Sequence, residues 1–88
     1  YLMACRDDGF HAARRRLKEL LDKYGLAGTD FVNQLHRELY AADFLSESAK
    51  LDLTEWMAEV DYRLVEGGGE HIQLDALTAR FVTHLKKE

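Results

Sequence analysis

The chain has 88 residues, a formal net charge of −4, no proline and a single cysteine, which leaves room for one domain burying roughly 60–65% of its unfolded surface. An internal disulfide is excluded, no apolar run approaches the ~20 residues that span a bilayer, and the opening lacks the basic-then-apolar layout of a signal peptide. With apolar residues at 47%, abundant Leu, Ala, Glu, Lys and Arg, and few strand signals, the expected fold is all-α: a compact bundle of four to five helices.

A soluble, intracellular protein is expected, with Cys5 as a buried or reduced thiol in a reducing compartment. Residues 1–24 carry six basic and four acidic side chains, and the remainder six basic and twelve acidic. That acidic majority argues against a primary nucleic-acid binder, because affinity for phosphate backbones comes mainly from clustered Lys and Arg.

The first residue is Tyr, and Tyr1 to Cys5 read as the tail of a helix, so a domain excised from a longer chain is expected. Asp7, Asp8 and Gly9 break this opening. Apolar positions then recur at Phe10, Ala13, Leu17, Leu20, Leu21 and Tyr24, a helical stripe that Gly25 ends in the left-handed conformation. Leu26 to Gly28 form a connection, Thr29 is the expected cap of the next helix, and Asp30 meets its positive end. Phe31, Val32, Leu35 and Leu39 give that helix its apolar face, which fades near Asp43.

Ser46 or Ser48 caps a longer helix with the stripe Ala49, Leu53, Trp56, Met57, Val60 and Leu64. Leu51, Tyr62 and Val65 widen the stripe, so this helix is expected to sit centrally with neighbours on more than one side. Glu59 and Arg63 stand four apart with the acid first, the favourable order for a helical ion pair worth ~0.3–0.5 kcal/mol. Gly67, Gly68 and Gly69 end the helix. The last helix starts near Glu70 with Ile72, Leu74, Leu77, Phe81 and Leu85 inward, and His84 to Glu88 form a solvated, fraying end. Short connections make consecutive helices neighbours.

Chemistry-bearing patterns are sparse. The triple glycine lacks the Lys and Ser or Thr of a phosphate loop and is followed by Glu70 and His71, so a helix-to-helix turn is the better reading. No His pair has the spacing of a helical zinc site, and Glu59, Asp61 and Tyr62 point different ways on one helix. Arg14, Arg15 and Arg16 spread over some 200° of helix surface, which favours a solvated face over docking to an acidic subunit or DNA. Trp56 on the central stripe reads as core rather than as an interface anchor.

Two segments carry more: Tyr24 to Leu39 (YGLAGTDFVNQLHREL) and Glu59 to Leu77 (EVDYRLVEGGGEHIQLDAL). Together they resemble the C-terminal domain of the replication factor C small subunit, the archaeal version more closely than the eukaryotic. The likeness runs from about Phe10 to Leu77 and keeps the spacing between the motifs. Gly25, Gly28, Asp30, Gln34, His36, Arg37 and Glu38 fall on the first motif, and Asp61, Arg63 and Gln73 on the second; these are the structural or interface candidates. Glu70, with Leu26, Glu59, Val60, Leu64, Glu66, Gly67, Ile72, Leu74 and Ala76, also matches. The family often has Pro at Ser46 and Ala-Asn at Gly68 and Gly69, so the two helices that follow are expected to start less firmly here.

The resemblance implies that residues 1–88 are a collar domain, following an AAA+ ATPase domain and a lid domain outside this chain. In the family, collars hold five subunits, large and small, in a ring. ATP and magnesium act in the ATPase part, which opens the sliding clamp (PCNA) and places it on primer-template DNA during replication. By this resemblance the chain itself has no catalytic residue, cofactor or metal, touches no membrane, and works in the cytoplasm of an archaeon or the nucleus of a eukaryote. The alternative reading is a stand-alone helical adaptor or DNA-binding module, for which the last helix offers only Arg80, His84 and the terminal lysines.

Overall fold

Most of the helix ends rest on signals local to the chain. The computed structural model describes residues 1–85, which form α1 (Leu2–Asp7), α2 (Phe10–Tyr24), α3 (Gly28–Ala41), α4 (Glu47–Val65) and α5 (Glu70–Leu85). The amide of Asp8 donates to the Ala4 carbonyl at the end of α1, and Gly9, at φ 88°, turns the chain into α2. Gly25 closes α2 in the left-handed conformation (φ 61°, ψ 33°), with the Leu26 amide reaching back to the Leu21 carbonyl at 3.1 Å. Such an ending satisfies carbonyls that have no partner within the helix. Gly67, at φ 95°, ends α4 in the same way, and the Gly68 amide donates to the Arg63 carbonyl at 2.7 Å.

Helix α3 begins two residues earlier than expected, at Gly28 with Ala27 at the cap position, so Thr29 is not its cap. The reason lies in two carboxylates. Asp30 accepts from the Ala27 amide at 3.4 Å, and Glu70, from the start of α5, accepts from the Gly28 amide at 3.0 Å. Helix α4 has an ordinary cap, as expected for Ser46: its Oγ accepts from the Ala49 amide at 3.1 Å.

Helix α5 is the hub, packing against α1, α2 and α4, whereas α4 packs against α3 and α5. This corrects the expectation that α4 is central. Turning 100° per residue, Leu53, Met57 and Val60 lie about opposite Leu51, Tyr62 and Val65. The first three are buried, and the second three are 60%, 62% and 71% exposed. Ile72 is likewise 73% exposed rather than inward, because it stands across α5 from the buried Leu74, Leu77 and Phe81. Tyr24, in the last turn of α2, is also exposed.

The core joins Leu35 and Leu39 of α3, Leu53 and Met57 of α4, and Leu74, Leu77 and Phe81 of α5, with Cys5, Ala13 and Leu17 closing it from α1 and α2. Each buried Leu or Phe contributes roughly 1.5–3 kcal/mol relative to exposure. Tyr1 inserts between α3 and α5, its ring edge-on to Phe31 at 5.1 Å and to Phe81 at 5.9 Å. A radius of gyration of 12.0 Å is what a compact chain of this length has, about 12 Å, and rules out an extended solenoid. His84 and Leu85 complete the last turn of α5 with Leu85 buried, in place of the expected fraying there; the rest of that expectation lies outside the described residues.

Candidate functional site

The residues singled out from sequence fall into three places. Gly25, Gly28 and Asp30 build the corner between α2 and α3, with Glu70 closing it from α5. Gly28 is buried under that carboxylate: a Cβ on it would stand 3.0 Å from Glu70 Cγ and 3.1 Å from Oε2. Gln34, His36, Arg37 and Glu38 lie on the exposed side of α3, where the Arg37 guanidinium donates to Gln34 Oε1 at 3.5 Å. Asp61, half-buried, and Arg63 belong to the end of α4, where Arg63 donates to Glu59 Oε1 at 2.9 Å as its spacing predicts. Gln73 lays its amide nitrogen over Gly68, 3.4 Å from where a Cβ there would stand. The candidates therefore do not converge on one cleft.

The basic run is only partly a solvated face. Arg14 grips Asp75 of α5 with both carboxylate oxygens 3.0 Å from Nε, and Arg16 reaches Glu19 at 3.5 Å. Both pairs are well exposed and contribute at most about 1 kcal/mol each. Trp56 is half-buried at the edge of the core, with the Arg80 guanidinium 3.9 Å from its ring centre.

Among the described residues the polar interior is one small network. The hydroxyls of Tyr1 and Thr78 are 2.8 Å apart, and Thr78 Oγ1 donates to the Leu74 carbonyl at 2.9 Å. Burial pushes the Tyr1 phenol well above its ordinary value, helped by the neighbouring Cys5 and opposed by the Thr78 hydrogen bond. Burial likewise pushes the Cys5 thiol up to about 11, against a smaller lowering by the hydrogen bond with Tyr1. A thiol so held is protonated at neutral pH and a poor nucleophile. Among the described residues no three of His, Cys, Asp and Glu gather as metal ligands, and no helix is long and apolar enough to cross a membrane.

The surface feature that sequence reasoning missed is the outer side of α4. Leu51, Ala58, Tyr62 and Val65 follow one another along it, flanked by Glu55, Glu59 and Glu66, all exposed. Projecting the apolar positions at 100° per residue separates these from the core stripe and would have found them. Large apolar side chains lined up on one exposed helix face mark a protein contact more often than isolated ones do.

The corner glycines, the Glu70 clasp and the exposed α4 face describe a small helical domain organised for packing. Residues 1–80 match the family model described as the replication factor C C-terminal domain. The replication factor C small subunit of Methanopyrus kandleri is 45% identical over 71 residues, covering 81% of this chain and 11% of that protein. That of Sulfurisphaera tokodaii is 37% identical over 87 residues, 98% of this chain and 27% of that protein, and that of Archaeoglobus fulgidus 44% over 78 residues, 89% and 24%. This chain belongs to the replication factor C C-terminal domain family, and these archaeal relatives are small subunits that it spans over about a quarter of their length or less.

Proposed function

We propose that residues 1–88 form the collar domain of a clamp-loader small subunit, holding subunits of a five-membered ring together and carrying no catalysis of their own. The observation that carries the reading is membership of the replication factor C C-terminal domain family. It is supported by the apolar side of α4, which the described residues leave exposed. On this reading ATP and magnesium belong to a preceding ATPase part of the subunit, and the assembled ring places the sliding clamp on primer-template DNA in an archaeal cytoplasm. The site candidates act structurally: Gly25, Gly28 and Asp30 fix the α2–α3 corner, and Arg63 and Gln73 fix the turn from α4 to α5.

The test removes these residues from the full-length small subunit and mixes the remainder with the large subunit. Size-exclusion chromatography with light scattering should find no five-subunit complex, while ATP binding by the truncated subunit persists. A complete complex that still loads the clamp removes the collar role from this domain.

A further inference from the structure

Two exposed faces of this domain carry opposite charge. Helix α4 holds five acidic and two basic residues, and α2 five basic and two acidic. The acids Glu55 and Glu59 of α4, with Glu66 just past its end, border the exposed Leu51, Tyr62 and Val65. On the other side, α2 and α5 enclose a groove of about 500 Å³. Leu21 and Leu26, half-buried, form its floor, and Arg15, Lys18 and His71 stand on its rim. Of the other charges there, Asp75 holds Arg14, Glu70 holds the Gly28 amide, and Asp22 stands exposed four residues beyond Lys18. Neither Arg15 nor Lys18 pairs with an acid among the described residues.

We infer that the outer face of α4 docks onto the α2–α5 groove of a second copy of this chain, head to tail. This rests on the assembly role proposed above and assigns its two surfaces. Packing α4 against α4 across a two-fold axis would bring Glu55 and Glu66 of one copy near the same acids of the other, and like charges so placed are unfavourable. Packing α4 on α2 sets Glu55 and Glu66 against Arg15 and Lys18, Glu59 being held by Arg63, and lays Leu51 and Tyr62 over the leucine floor. Helix α2 packs on α1 and α5, whereas α4 packs on α3 and α5, so each copy presents both surfaces at once. A contact between unlike surfaces propagates around a ring rather than closing a dimer. A specific interface takes about 800 Å² from each partner, roughly a seventh of the 5781 Å² this domain exposes, so two fit without overlap.

The experiment is sedimentation equilibrium of the 88-residue chain, up to millimolar concentration, at low and high salt. Three variants accompany it: Glu55→Lys with Glu66→Lys at the α4 face, Arg15→Glu with Lys18→Glu on α2, and all four together. The expected result is self-association weakened by salt, weakened about tenfold or more by either reversal alone, and restored when both faces are reversed. Circular dichroism checks that each variant keeps its helices. Tyr62→Ser, at a side chain 62% exposed, gives a second variant that leaves the core untouched and should also weaken association. A wild-type chain that stays monomeric overturns the pairing of copies, as does association that survives either reversal or is not restored by the fourfold variant. Failure of these faces is separable from failure of the collar reading, because the truncation experiment measures assembly whichever surfaces mediate it.

Discussion

The Glu70 carboxylate accepts a hydrogen bond from the Gly28 amide at 3.0 Å, joining the first residue of α5 to the first residue of α3 across 42 positions of sequence. One negative charge thus meets the positive ends of two helices. Gly28 permits this because any side chain there would press on Glu70.

Replacing Glu70 by Ala should therefore cost about 1 kcal/mol, the usual loss for a helix cap. Gly28→Ala should cost a similar amount by pushing the carboxylate away. In the Glu70→Ala background, however, Gly28→Ala should be neutral or stabilising, because alanine restricts the unfolded chain. A double-mutant cycle by urea denaturation measures the coupling, expected at roughly 1 kcal/mol. Additive effects would show that the two residues act independently.

Gly25 stands at φ 61° with open space around its α-carbon, so only backbone conformation penalises a side chain there. Gly25→Val should destabilise by on the order of 1 kcal/mol or more, and Gly25→Asn by less, since Asn tolerates this region. Equal melting temperatures for the two variants would count against a conformational cause.

Alkali should weaken the fold through Cys5 and Tyr1. The folded-state thiol is raised from 9.0 to about 11, so the unfolded chain loses this proton first. Its contribution is fully present below pH 9 and falls as pH rises from there through about 11, by at most ~1.4 kcal/mol per pH unit. The Tyr1 phenol, raised above 10.0, extends the decline to higher pH. Urea denaturation at a series of pH values should show a shallower slope between pH 9 and 11 for Cys5→Ala. An identical slope would take Cys5 out of the explanation.

Arg80 covers the ring of Trp56, the only tryptophan. Arg80→Ala should cost about 0.5–1 kcal/mol, as expected for a partly exposed cation over an indole, and should shift the Trp emission to longer wavelength as water reaches the ring. Emission that does not move would mean the guanidinium gives the ring no cover.

The helices were legible in the sequence because each stop is local chemistry: Gly25 and Gly67 provide the left-handed ends, and Ser46 provides a hydroxyl cap. The start of α3 was not legible, because one of its capping groups, Glu70, arrives from another helix. Burial was legible where a residue lay on the dense side of its stripe, as with Leu53 and Phe81. It failed at Leu51, Tyr62, Val65 and Ile72, where hydrophobicity alone does not distinguish a side chain facing the domain's own core from one facing outward. The candidate residues matched by family motif fall in three separate places, because whether residues converge is a matter of tertiary packing that motif spacing does not encode.

The hydrogen bond between Tyr1 and Thr78 spans 77 positions and gives the domain a mechanical character. Helix α1 has only six residues, too few to hold together in water unaided. Its place depends on the phenol wedged between Phe31 and Phe81. Tension applied ahead of Tyr1 would therefore be delivered into the middle of the hub helix rather than dissipated in a loose end. A label or fused segment joined directly to residue 1 would load the core.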